Sequence, residues 1–199
     1  MAERNIKVDH ATLNRWVIEY SPKFENEFRK RHKKTIGCSW RIDETYLKIK
    51  GVDVYLYRAV DKFGKTIDFM LSERRDKQAA LSFFNKAISE NGLPEKVTMD
   101  RSGANKAGID AVNLFLTFLS SIMQIIFRIT VRQIKYLNNI VEQDHRAVKR
   151  ITKPMLGFKS FNSAEATIAG IELHHMLKKG QYKNANSQSV FQQFYALAG

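Results

Sequence analysis

SWRIDETYLK (39–48), VDVYLYRAV (52–60) and KTIDFMLS (65–72) follow one another with only short breaks, at Lys50-Gly51 and Asp61–Gly64. All three are rich in β-branched and aromatic residues and bounded by turn formers, the pattern of strands. Breaks this short predict an antiparallel meander. In the second strand Val54, Leu56 and Arg58 share one side, and Tyr55, Tyr57 and Ala59 the other.

After the meander, residues 76–90 read as a helix. Ala79, Ala80, Phe83, Phe84, Ala87 and Ile88 make its buried face, and Gly92 and Pro94 end it. Lys96–Met99 is a short strand that delivers Asp100 to the loop Arg101-Ser102-Gly103. Strands mixed with helices give an α/β chain.

Two aspartates need a reason. Aspartate is disfavoured in strands, yet Asp43 stands in the middle of one. Asp100 closes another, and the ends of open-sheet strands are where sites collect. Each has a plain structural explanation, Asp43 as an edge-facing polar residue and Asp100 as a loop cap. A third carboxylate lies in RQIKYLNNIVEQDHRAVKR (132–150). At helical spacing Glu142, Arg146, Lys149 and Lys153 fall within about 60° of one another. Ile140, Val141, Ala147, Val148 and Ile151 fall opposite. Taken alone, Glu142 and Arg146 make an exposed ion pair worth about 0.3–0.5 kcal/mol. Taken with Asp43 and Asp100, Glu142 completes a set of hard oxygen ligands suited to Mg²⁺. Asp144 falls among Ile140, Val148 and Ile151, and a structural contact is expected of it. His145 is expected to be structural.

Residues 111–127, AVNLFLTFLSSIMQIIF, carry no charge. Three readings compete: a short membrane span, a buried helix followed by a strand at 125–131, or a segment replaced by two compensating frameshifts. Farther on, Lys153-Pro154 ends the Glu142 helix. Asn162 to Glu165 forms a capping pattern for a helix through Lys179, with Ala164, Ile168, Ile171 and His175 on one stripe. His174 and His175 diverge by 100° on that helix and are read as structural. Residues 181–199 are a polar tail.

Toward the N-terminus, Asp9 is an N-cap for a helix over 9–20, with Leu13, Trp16, Val17 and Tyr20 as its apolar stripe. Pro22 is expected to break it, and 23–35 to form a basic short helix and linker. Asn14 and Arg15 lie off the stripe. An ordinary amphipathic helix and the second helix of a helix-turn-helix fit equally well.

Over its 199 residues Lys plus Arg outnumber Asp plus Glu by 33 to 20, a formal charge of +13. The excess is spread along the chain, which makes nucleic acid the first partner to consider. The single cysteine, Cys38, allows no intrachain disulfide, and there is no Cys/His cluster with zinc-ligand spacing. The N-terminus lacks an apolar run. The expected location is cytoplasmic, with no membrane partner.

IDETY around Asp43, YLYRAVD (55–61), TMDRSGANK around Asp100, VRQIKYLNNIVEQDHRAVKR around Glu142 and PMLGFKSFNSAEATIAGIE (154–172) form an ordered set. Together they resemble the DDE transposases of bacterial insertion sequences, most closely the family of insertion sequence six, which includes insertion sequence twenty-six. The resemblance implies a ribonuclease-H-like, integrase-type catalytic core with a mixed sheet flanked by helices. It implies that Asp43, Asp100 and Glu142 are the catalytic residues and hold two Mg²⁺ ions, with Mn²⁺ as a substitute. Arg146, Lys149 and Arg150 would contact the DNA backbone, and Asn14 and Arg15 would contact DNA from a remnant helix-turn-helix.

The implied domains are an N-terminally truncated DNA-binding region and linker (1–35), the catalytic domain (36–180) and a tail (181–199). The implied activity is DNA cleavage and strand transfer at insertion-sequence ends and target DNA, by a homodimer or larger assembly. The spacing from Asp100 to Glu142 is longer than the family's. That departure keeps two other readings open, a non-catalytic DNA-binding remnant and a ribonuclease-H-like nuclease with a different substrate.

Overall fold

The computed structural model describes residues 7–101, 103–134, 139–183, 185 and 187–197. The chain divides into two compact units, one of residues 35–157 and one that combines residues 1–34 with 158–199.

The 35–157 unit is built on a five-stranded sheet. Strand β1 (Ser39–Ile49), β2 (Val52–Asp61) and β3 (Thr66–Ser72) form the expected antiparallel meander. Lys50 and Gly51 both take positive φ, 51° and 81°. Two such residues make a primed two-residue turn, whose twist matches the flanking strands. At the next turn the Asp61 carboxylate accepts the backbone N–H groups of Phe63 and Lys65, each at 2.9 Å. Strands β4 (Lys96–Met99) and β5 (Thr130–Gln133) extend the sheet on the other side of β1, each parallel to its neighbour. The strand order is β3-β2-β1-β4-β5. This mixed sheet flanked by helices agrees with the architecture that the resemblance implies.

Helix α2 (Lys77–Asn91) is capped by Asp76, whose carboxylate accepts from the Ala79 N–H at 2.8 Å. Its Ala79, Ala80, Phe83, Phe84 and Ala87 are buried as the spacing predicts, in a core with Trp40, Ile42, Tyr57, Ala59 and Met99. Helix α3 (Gly103–Met123) adds Ile109, Val112 and Leu116 to that core. It crosses α2 closely at Gly108, where an added Cβ would stand 2.8 Å from the Ala80 Cβ. The far side of α3 exposes Leu114, Phe115, Phe118 and Ile122. By length and composition alone, α3 is long and apolar enough to cross a membrane.

The uncharged segment therefore forms a helix and then a strand, but the strand starts later than the expected 125–131. Asn113 explains the delay. Its side chain bonds both the N–H and the carbonyl of Ile129, at 2.9 and 3.0 Å, and holds the incoming chain as a loop up to β5.

Helix α4 (Asn139–Thr152) covers the opposite face of the sheet. Its buried residues are Val141, His145, Val148 and Thr152. Ile151, placed on the apolar side by the wheel, is 41% exposed. The buried stripe is centred on His145 rather than on the isoleucines, because the sheet face beneath carries polar Asp43 and Arg58. Helix α4 ends in a 3-10 turn, Lys153–Met155, that contains Pro154.

In the other unit, helix α1 (His10–Glu27) starts where expected. Asp9 accepts from the Thr12 N–H at 2.5 Å. Pro22 does not break it but lies inside it, and a π-helical turn (Phe28–His32) follows. Proline sacrifices one backbone bond, while Phe24 and Phe28 on its far side join a cluster with Leu173, Met176, Leu177 and Tyr182. That burial outweighs the lost bond. The expected stripe is not buried, since Trp16, Val17 and Tyr20 are each about two-fifths exposed. Helix α5 (Phe161–Lys178) buries Ala164, Ile168, Ile171 and His175 as expected. Its cap is Ser160, which accepts from the Ser163 N–H, and Asn162 lies inside the helix. The tail forms helix α6 (Val190–Ala196), opened by a Ser189–Gln192 capping box.

Candidate active site

The site grows from a gap in the sheet. The parallel β1–β4 ladder pairs Ser39 with Lys96, Trp40 with Val97 and Arg41 with Thr98. Continued by two residues, that register sets Asp43 beside Asp100, just past the last pair. Carboxylate oxygens of Asp43, Glu44 and Asp100 lie within 4.8 Å of one another. Both predicted aspartates therefore meet. They meet because parallel neighbours in register carry equivalent positions to the same edge.

Asp43 is paired across β2 with Arg58. Both face α4. Arg58 is fully buried, and its Nη2 lies 2.7 Å from Asp144 Oδ2. Asp144 thus has the structural contact expected of it. His145, one residue on, places Nε2 3.8 Å from Asp43 Oδ2. Burial, and then the Arg58 guanidinium, hold this imidazole down to about 3. Burial chiefly, then the charges of Glu44, Asp100 and Glu142, push Asp43 up to about 7. Around pH 5 this contact joins two neutral groups and is not a salt bridge.

Glu142 is exposed, on the first turn of α4. Its charge reaches Asp43, but its carboxylate is outside the 4.8 Å group of Asp43, Glu44 and Asp100. The Glu142–Arg146 ion pair that the spacing allows is not formed among the described residues. Arg146 and Arg150 are exposed, and the Lys149 ammonium sits 4.7 Å over the Tyr46 ring. Asn14 and Arg15 are exposed on α1, in the other unit, where Arg15 donates to the Thr12 hydroxyl at 2.9 Å.

Sequence reasoning missed Glu44. It follows Asp43 directly and points to the opposite face, where its side chain is 3% exposed. The Arg75 Nε donates to Oε1 and the Asn105 Nδ2 to Oε2, each at 2.5 Å. The available signal was two consecutive acids in the middle of a strand, Asp43 and Glu44.

The donor set fits a hard divalent cation. It consists of carboxylate oxygens gathered where the β1–β4 ladder ends, and burial, with the neighbouring acids second, has already raised the proton affinity of Asp43. An acid in the middle of β1 and another just past the end of β4, brought together on a mixed sheet, are the arrangement expected of a DDE domain.

A family model described as a DDE domain matches residues 37–181. The chain is 38% identical over 192 residues to the transposase for the insertion sequence-like element IS431mec of Staphylococcus aureus, covering 96% of this chain and 79% of that one. It is also 38% identical over 189 residues to the transposase for insertion sequence element IS257 in transposon Tn4003 of the same species, covering 94% and 77%. The chain belongs to the DDE transposases of insertion sequences, in the family of insertion sequence six.

Similar solved structures include a chain of the simian T-cell lymphotropic virus intasome in complex with a PP2A regulatory subunit. It has 18% identity and TM-score 0.49, covering 72% of this chain and 51% of that one. The HTLV-2 integrase catalytic core in complex with magnesium has 19% identity and TM-score 0.47, covering 70% and 86%.

Proposed function

We propose that this transposase cleaves DNA at the ends of its insertion sequence and joins the ends to target DNA, using Asp43, Asp100 and Glu142 to hold two Mg²⁺ ions, or Mn²⁺ in their place. The observation that carries the reading is the convergence of Asp43 and Asp100 at the end of the parallel ladder, with the Glu142 charge felt at Asp43. Bound metals supply a lowered pKa for an attacking water or 3′-hydroxyl and charge stabilisation at the leaving oxygen of a phosphodiester.

The chain's own residues do the rest. Asp43 would hold the cation as a carboxylate, its proton passing to solvent. Arg58 and Asp144 fix the helix that carries Glu142. Arg146, Lys149 and Arg150 line the exposed side of α4, where a DNA backbone can lie beside the acids. Asn14 and Arg15 offer a second DNA contact from α1. The enzyme acts on DNA in the bacterial cytoplasm as a homodimer or larger assembly.

A strand-transfer assay with Mg²⁺ and labelled element ends tests this. Product that disappears in Asp43→Asn supports it. One observation favours a second reading, a non-catalytic DNA-binding remnant: Glu142 is exposed and outside the acid group. Salt-sensitive DNA binding with no cleavage is the result that reading expects.

A further inference from the structure

We infer that Glu44 is a positioning residue of the metal site: it holds the Asp100 strand end against Asp43 through Asn105 and is itself held by Arg75. The inference rests on the two-aspartate metal site proposed above.

The β1–β4 ladder stops at the Arg41–Thr98 pair. Asp43 and Asp100 lie past that point, where no rung of the ladder sets their separation. Glu44 closes the gap on the other face. Its Oε2 accepts from Asn105, a fully buried residue in the first turn of α3, five residues after Asp100. Its Oε1 accepts from Arg75, in the connection between β3 and α2. One buried carboxylate thereby ties three segments together at the point where hydrogen bonds between the strands end. Bonds to an ionised acceptor are the strong ones.

Each Glu44 oxygen accepts one of these bonds, so the carboxylate is oriented by Arg75 and Asn105 and acts as a brace, although one of its oxygens lies within 4.8 Å of the two aspartates. Arg75 serves a second purpose. Its guanidinium compensates the Glu44 charge, and it is half exposed. Without it, three carboxylates would crowd one site. Partners one layer behind metal ligands typically change metal affinity 10–100-fold when removed.

The test is a calorimetric Mn²⁺ titration of the full, metal-depleted chain, run beside strand transfer. Glu44→Gln is expected to keep the wild-type number of bound ions and weaken their affinity by at least about tenfold. Arg75→Gln, at a half-exposed position, should shift affinity in the same direction and decides the matter if Glu44→Gln does not fold. A loss of one bound ion in Glu44→Gln would make it a ligand and overturn the inference. Unchanged affinity in the variants that fold would overturn it too, whatever happens to their melting temperature. Asp43→Asn separates the two claims: if it binds Mn²⁺ like the wild type, the metal-site reading fails, not the brace alone.

Discussion

Arg58 and Asp144, 86 residues apart in sequence, meet at 2.7 Å with the arginine fully buried, and their ion pair seats α4 on β2. Breaking it from one side strands a charge. Asp144→Ala should destabilise the chain by about 3–5 kcal/mol. A double Arg58→Met, Asp144→Leu variant removes both charges and should recover most of that loss. Urea denaturation of the three proteins checks the ordering. Strand transfer should recover along with stability in the double variant if seating α4 is what places Glu142.

The pH dependence of stability follows from two groups with opposite signs. Asp43 has its folded pKa raised to about 7 from 3.8. The folded chain then holds the proton more tightly than the unfolded chain, so the contribution of this group falls as pH rises from about 4 to about 7. His145 has its folded pKa lowered to about 3 from 6.5. Its contribution is full above pH 6.5 and is lost as pH falls toward 3. In the wild type without metal the two slopes oppose each other. Asp43→Asn removes one of them. Its melting temperature should climb with pH from about 3 to 6.5 and exceed the wild type at pH 8 in EDTA. Parallel curves for the two proteins would count against the assigned shifts.

Metal should reverse that order. A divalent cation displaces the proton from Asp43, so Mn²⁺ should raise the wild-type melting temperature more at pH 8 than at pH 6. Asp43→Asn should gain little at either pH. Thermal melts across a Mn²⁺ series measure this.

Gly108 sets how closely α3 approaches α2. A Cβ there would lie 2.8 Å from the Ala80 Cβ and 3.1 Å from the Leu81 nitrogen. Gly108→Ala should cost about 1–3 kcal/mol through overpacking. Ala80→Gly in the same chain should return part of it. Chemical denaturation decides the sign.

DNA affinity should fall steeply with salt, as expected for a chain of charge +13. Arg146→Ala and Arg150→Ala, both exposed on α4, should each lower the slope of log affinity against log salt by about one. Filter binding over a salt series reads it. Slopes equal to the wild type would remove α4 from the DNA contact.

Strand by strand, the meander and β4 were legible because alternation and turn formers survive in the sequence. Asp9 and Asp76 announced their helices for the same local reason. What was hidden depended on distant partners. Pro22 reads as a stop until Phe24 and Phe28 find α5, and β5 reads as starting early until Asn113 claims Ile129. The site shows the same division. Asp43 and Asp100 stood out as misplaced acids. Glu44 looked like an accompaniment, because its bonds to Arg75 and Asn105 span 31 and 61 residues. The wheel placed Asp144 correctly but put Ile151 inside, since it could not know that the sheet face below is polar.

The two-residue turn at Lys50-Gly51 works as a ruler. Ten consecutive pairs from Trp40–Asp61 to Ile49–Val52 are counted from it. Insert or delete one residue there, and every side chain of β1 changes face relative to β2. Glu44 would then take the place of Asp43 under α4, and the brace and the ligand would trade roles. In the loops of this gene a small in-frame insertion is a modest disturbance; at this hairpin the same event would invert the site.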